Sequence, residues 1–237
     1  MSEPEELGPS LLERPVVIVG NGASLLGRGN GAWIDGHEIV VRFNLFQTGR
    51  FAADVGTKTT VWFNNRDATS ATIRKMLAEH EFERIHVHTW DDVARAAATF
   101  KEELTRLGRA TPVIPVDRGV LAAMRDFLGG GYTMFSTGAI GTWIMLQQFR
   151  RVTLVGFDWW DAPARFHYSD ADVFAHDEKK GHQPAIERRF FAHLQEQGRL
   201  NFHEAGCSEE SESREPTGAW FCALRKSSKH PERSASG

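Results

Sequence analysis

Six short apolar runs, PVVIVG, EIVVRFN, TTVWFN, RIHVHTW, ATPVIPV and RVTLVGF, recur between Pro15 and Phe157. Each has the length of a strand and is apolar on both of its faces, as strands covered from both sides are. Between several of them the spacing changes. ATIRKMLAEHEF, DDVARAAATFKEELTRLG and GVLAAMRDFLGG carry apolar residues three and four apart, the period of an amphipathic helix. This alternation confines the chain to the α/β class, with a mostly parallel sheet flanked by helices. The segment STGAIGTWIMLQQF starts with hydroxyl residues suited to cap a helix and continues as a largely apolar body, which predicts a core helix just before the last run.

A chain of 237 residues, 41% hydrophobic, can bury one substantial core. The reading is an acidic leader over 1–14, one domain over 15–206 and an extension over 207–237. In that extension CSEESESREPTG reads as an exposed linker and SSKHPERSASG as a disordered tail, because neither buries enough apolar surface to offset ordering. A net charge of −3 argues against a nucleic-acid partner. No apolar run approaches the roughly 20 residues that cross a bilayer, and the leader lacks the charged-then-apolar pattern of an export signal. With Cys207 and Cys222 in no ligand-like spacing, a cytoplasmic protein is expected, peripheral membrane contact being left open.

Two segments carry chemistry. VVIVGNGASLLGRGNG, Val16 to Gly31, sets a glycine-rich turn directly after a strand, where backbone amides can approach a phosphate or ribose. It matches neither GxGxxG nor the Walker pattern, so by itself it is also compatible with a purely structural turn. HYSDADVFAHDEKKGHQPAIE, His167 to Glu187, concentrates three histidines among carboxylates. It can be a solvated loop, a metal site through the DxD of Asp170 and Asp172, or the acid/base half of an active site.

The order of IDGHEIVVRFN, GRFAADVGTKTTVWF and FSTGAIGTWIMLQQFRRVTLVGF resembles the long and short sialyl motifs of glycosyltransferase family 29, the eukaryotic-type sialyltransferases. The likeness runs from Val16 to about Glu187. His167-Tyr168-Ser169-Asp170 is similar to the family's third motif, with Ser169 where an aromatic is usual, and His182 to Glu187 is similar to its HxxxxE motif. Val16 and Phe149 stand where the family carries a disulfide, as suits a bacterial-type cytosolic chain. A more distant likeness is to the bacterial sialyltransferases of family 42.

The resemblance implies a single Rossmann-like domain, a variant of the GT-A type, and an inverting glycosyltransferase that uses a cytidine monophosphate (CMP) sugar. The donor would be CMP-sialic acid or CMP-Kdo, and the acceptor a hydroxyl of a glycan or glycolipid. It implies His182 as general base and His167 as acid at the leaving phosphate, which two imidazoles in different surroundings can divide between them. It places Gly20, Asn21, Asn44, Ser136, Thr137, Gly138 and Tyr168 at the nucleotide, with Asp170 and Glu187 in support. Asn21 and Asn44 could also simply cap strand ends, and Ser136 could be an ordinary N-cap. Pro184 is placed to open a helix with Glu187 in its first turn. Because a monophosphate donor needs little charge neutralisation, no metal and no cofactor are expected. The rivals are a metal-dependent transferase through the DxD, a non-catalytic nucleotide-sugar-binding protein and a nicotinamide dehydrogenase. His37, His80, His86, His88, His193 and His203 read as surface or core residues.

Overall fold

A computed structural model of the chain describes residues 11–130, 134–158, 167–169 and 183–203. All of these lie in one compact unit, Met1–Ala205. The extension over 207–237, Asp170, Asp172 and His182 lie outside the described residues.

The six apolar runs form strands β1 (Val16–Val19), β2 (Ile39–Phe43), β3 (Val61–Asn64), β4 (Arg84–Val87), β5 (Val113–Pro115) and β6 (Val152–Val155). A seventh, β7 (Leu200–Phe202), completes a sheet in the order β5-β4-β3-β2-β1-β6-β7. Every pairing is parallel. The helices are α1 (Gly31–Asp35), α2 (Ala52–Val55), α3 (Ala71–Glu79), α4 (Val93–Arg106), α5 (Arg118–Phe127), α6 (Thr137–Gln148) and α7 (Pro184–Glu196). The sequence foresees β1 to β6 and the four helices α3 to α6. It does not foresee β7, α1 or α2, which span three to five residues each, too few for a period to show.

The two-sided apolar character of the strands has a direct cause. In β1, Val16 and Ile18 join the cluster that includes Ile140, Met145 and Leu146 of α6 and Phe190, Phe191 and Leu194 of α7, while Val17 and Val19 join Leu25, Ile34 and Val55 on the other face. In β3, Val61 and Phe63 turn to the α6 side, and Trp62 turns to the cluster of α3 and α4. Val16 and Phe149, the two positions where the family resemblance carries cysteines, are both buried in the α6-side cluster.

The long motif is mostly scaffold. Asp35 receives the N–H groups of Thr57 and Lys58 and the Thr57 hydroxyl at 2.9–3.0 Å. These bonds and the nearby Arg42 cation hold its carboxyl below the usual range, against the opposing and largest effect of burial. Arg42, 1% exposed, donates from Nε to the Lys58 carbonyl and the Thr59 hydroxyl and from Nη2 to the Val55 carbonyl. Gly56 has φ +69°, and a Cβ there would stand 2.3 Å from the Asp35 carboxylate, so only glycine fits this turn.

Strand β1 is the switch point: the chain steps outward from β1 to β5, then returns to place β6 on β1's other side. In such sheets the crevice beyond the carboxyl ends of the strands is where ligands bind. The turns after β1, β2 and β6 and the start of α6 lie at that end.

Candidate functional site

The glycine-rich turn contributes spacing more than donors. Gly20 N–H is bonded to the Val155 carbonyl at 2.8 Å and Gly22 N–H to the Gly156 carbonyl at 2.9 Å. A Cβ on Gly20 would lie 2.2 Å from the Gly156 oxygen. The Gly20 N–H thus stitches β1 to the end of β6.

Asn21 follows at once. Its Nδ2 donates to the carbonyls of Phe43 and Leu45, both at 3.2 Å, and so brackets Asn44 from the two sides. Asn44 is the one non-glycine described residue with positive φ, 47°, a region that asparagine tolerates better than most residues. Its own backbone is held by the N–H to the Phe63 carbonyl and by Trp62 Nε1 on its oxygen, both at 2.8 Å. Its side chain bridges two elements: Oδ1 accepts from Asn65 N–H, and Nδ2 donates to the Thr137 hydroxyl, each at 3.2 Å. The strand-end role of both asparagines is thus present in the structure, and the half-buried side chains lie at the crevice end of the sheet.

At the start of α6, Ser136 is the N-cap, its hydroxyl accepting from Ala139 N–H at 3.1 Å. The same residue donates its N–H and hydroxyl to the Glu187 carboxylate at 2.6 and 2.8 Å. Glu187, 1% exposed, stands in the first turn of α7, with Pro184 opening that helix as the sequence suggests. Among the described residues no acceptor takes the N–H of Thr137 or Gly138, so the first turn of α6 presents two open amides at its positive end.

His167 and Tyr168 approach from the opposite side. Tyr168 N–H donates to the Asn21 carbonyl at 2.9 Å, and its hydroxyl donates to the Gln47 carbonyl at 2.7 Å while accepting Gln47 N–H at 3.0 Å. The ring is 1% exposed and packs edge-on against Phe51. Burial pushes the phenol's pKa up. Its burial and its bonds to Gln47 give Tyr168 an anchoring place, one residue beyond His167.

The sequence reading left His88 among surface and core residues. It lies just beyond β4, 6% exposed, with Nε2 at 3.0 Å from the Thr137 hydroxyl. Burial lowers its pKa to about 4. The available signal was the pair His86 and His88, two apart at the carboxyl end of a strand and so on one face of the sheet. His86 belongs to that face but stacks on Phe63 at 4.4 Å, with its pKa also lowered to about 4 by burial and by the Arg84 charge.

Hydrogen bonds therefore join Tyr168 to Asn21, Asn44 to Thr137, and Ser136 to Glu187, with Gly138 next to Thr137 in the first turn of α6. Among the described residues no group of three potential metal ligands occurs, and no helix is long and apolar enough to cross a membrane.

A doubly wound parallel sheet with this crevice defines an α/β protein of the Rossmann-like class. The family model of glycosyltransferase family 29 (sialyltransferase) matches residues 4–199, and the chain belongs to that family. Among curated proteins it is similar to sialyltransferase-like protein 2 of Oryza sativa subsp. indica, 48% identical over 52 residues, which is 22% of this chain and 13% of the relative. Sialyltransferase-like protein 1 of the same subspecies is 40% identical over 72 residues, covering 28% and 18%. Beta-1,6-galactosyltransferase GALT29A of Arabidopsis thaliana is 48% identical over 48 residues, covering 20% and 12%. The matched stretches thus span less than a fifth of these relatives' length. The fold resembles the crystal structure of a mammalian sialyltransferase in complex with Gal-beta-1-3GalNAc-ortho-nitrophenol, with a TM-score of 0.58 and 20% identity over 82% of this chain and 70% of that one.

Proposed function

We propose that this glycosyltransferase moves sialic acid, or the related keto-sugar Kdo, from a CMP donor to a hydroxyl of a glycan or glycolipid with inversion at the anomeric carbon. The observation that carries the reading is that both ends of the His167–Glu187 segment are tied to one crevice. Tyr168 is bonded to Asn21 at one end, and Glu187 to Ser136 at the other. His167 precedes the first anchor by one residue, and His182 precedes the second by five.

On this reading His182 takes the proton from the acceptor hydroxyl as its oxygen attacks the anomeric carbon. The bond from that carbon to the CMP phosphate oxygen breaks, and His167 donates to the departing phosphate. The open amides of Thr137 and Gly138 at the positive end of α6, and the amides of Asn21 and Asn44, meet the nucleotide. Asp170 supports the geometry of the His167 segment. No metal or cofactor takes part, no nucleic acid is bound, and the protein acts in the cytoplasm as one catalytic domain over 15–206, with peripheral membrane contact where the acceptor is a glycolipid.

The likeness to a beta-1,6-galactosyltransferase supports a second reading, galactosyl transfer on the same scaffold. Thermal unfolding with added nucleotides separates the two, since a ligand that binds only the folded state raises Tm. CMP should raise Tm more than UMP or AMP, with or without EDTA. A larger shift with uridine nucleotides favours the galactosyl reading, and loss of the CMP shift in EDTA favours a metal at Asp170 and Asp172.

A further inference from the structure

We propose that His88 is a positioning residue of the nucleotide site, holding the Thr137 hydroxyl with its proton turned toward the ligand. This rests on the reading that the start of α6 receives the nucleotide.

The hydrogen-bond pattern leaves two choices. Asn65 N–H can only donate, so it fixes the Asn44 amide with Oδ1 toward Asn65 and Nδ2 toward Thr137. Thr137 Oγ1 is therefore an acceptor for Asn44, which leaves it one further lone pair and one proton. His88 Nε2, at 3.0 Å, engages one or the other. With the proton on Nδ1, Nε2 accepts from the hydroxyl, and Thr137 turns a lone pair to the crevice. With the proton on Nε2, His88 donates, both Thr137 lone pairs are taken, and the hydroxyl proton points outward.

The surroundings select the second arrangement. The neighbouring open groups at the start of α6, the N–H of Thr137 and of Gly138, are donors, suited to phosphate or carbonyl oxygens. A lone pair aimed at the same oxygen would repel it, whereas an outward hydroxyl proton adds a third donor. Burial keeps the His88 ring neutral near neutral pH, so it has one N–H to place.

The test is made on the full chain at pH 7. Long-range 15N–1H correlation on labelled protein, with the His88 signals identified by their loss in His88→Gln, should show the proton on Nε2, and a proton on Nδ1 overturns the inference. CMP titration by calorimetry gives the consequence. His88→Leu should weaken CMP binding about tenfold, the loss expected for one misdirected hydrogen bond. His88→Gln, whose amide can reach the place of Nε2, should restore most of the binding. In a Thr137→Val background, His88→Leu should add little.

Unchanged binding in His88→Leu, or an equal loss with and without the Thr137 hydroxyl, overturns the role, the latter pointing to packing alone. Should His88→Leu fail to fold, His88→Asn takes its place, its amide sitting near Nδ1 and expected not to restore binding. If the parent binds no CMP, the proposed function falls, and the tautomer measurement still decides the arrangement around Thr137.

Discussion

Glu187 receives two hydrogen bonds from one residue: Ser136 N–H reaches Oε1 at 2.6 Å and the Ser136 hydroxyl reaches Oε2 at 2.8 Å. The carboxylate in the first turn of α7 thereby joins the start of α6 to the start of α7, across 51 residues of sequence. The two helix starts are held together by a side chain that is almost wholly buried.

Glu187→Ala should therefore lower stability by about 2–3 kcal/mol, because it removes a charge-assisted pair and leaves the half-buried Ser136 donors without their acceptor. Ser136→Ala should cost about 1–2 kcal/mol, cap and carboxylate bond together. Urea unfolding of both single variants and the double variant checks this. The two losses should not add, since either change breaks the same contact.

Asn44 should separate backbone from side chain. At φ 47°, Asn44→Gly keeps the turn at little conformational cost, whereas Asn44→Ala adds roughly 1 kcal/mol of strain. Both lose the bridge between Asn65 and Thr137. Glycine should thus melt above alanine, while CMP binding measured by calorimetry should fall in both by a similar factor, about tenfold.

The sheet was legible because strands covered on both faces must be apolar throughout, and Val16 to Val19 or Val61 to Phe63 can be little else. The start of α6 was legible from Ser136 and Thr137 before an apolar body. The partners of these residues were not. Nothing local couples Glu187 to Ser136 or Tyr168 to Gln47, because those contacts exist only once the chain has folded. His88 was hidden for the opposite reason: a histidine in an apolar strand has the same local pattern whether it packs silently, as His86 does on Phe63, or meets a hydroxyl of the site.

The buried histidines also set a pH dependence. Burial lowers His86 and His88 from the ordinary 6.5 to about 4, so the unfolded chain binds protons in a range where the folded chain does not. Their contribution is complete above pH 6.5 and is lost as pH falls toward 4, with an upper bound of about 3 kcal/mol for each. Urea unfolding at pH 7 and pH 5 should show lower stability at pH 5. His86→Phe, which keeps a ring on Phe63 without a titrating group, should make the difference smaller.

On the proposed function a CMP sugar is the donor, and His167 and His182 process it. The direct measurement is release of CMP from CMP-sialic acid and from CMP-Kdo by the purified chain, with and without a β-galactoside acceptor and with UDP-galactose as the rival donor. The proposed function predicts acceptor-dependent CMP release from one of the CMP donors, undiminished by EDTA and lowered roughly 10²–10⁴-fold in His182→Ala, as for loss of a general base. His167→Ala should slow release and weaken CMP binding together. Consumption of UDP-galactose with both CMP sugars left intact, or a His182→Ala variant that turns over like the parent, would contradict it.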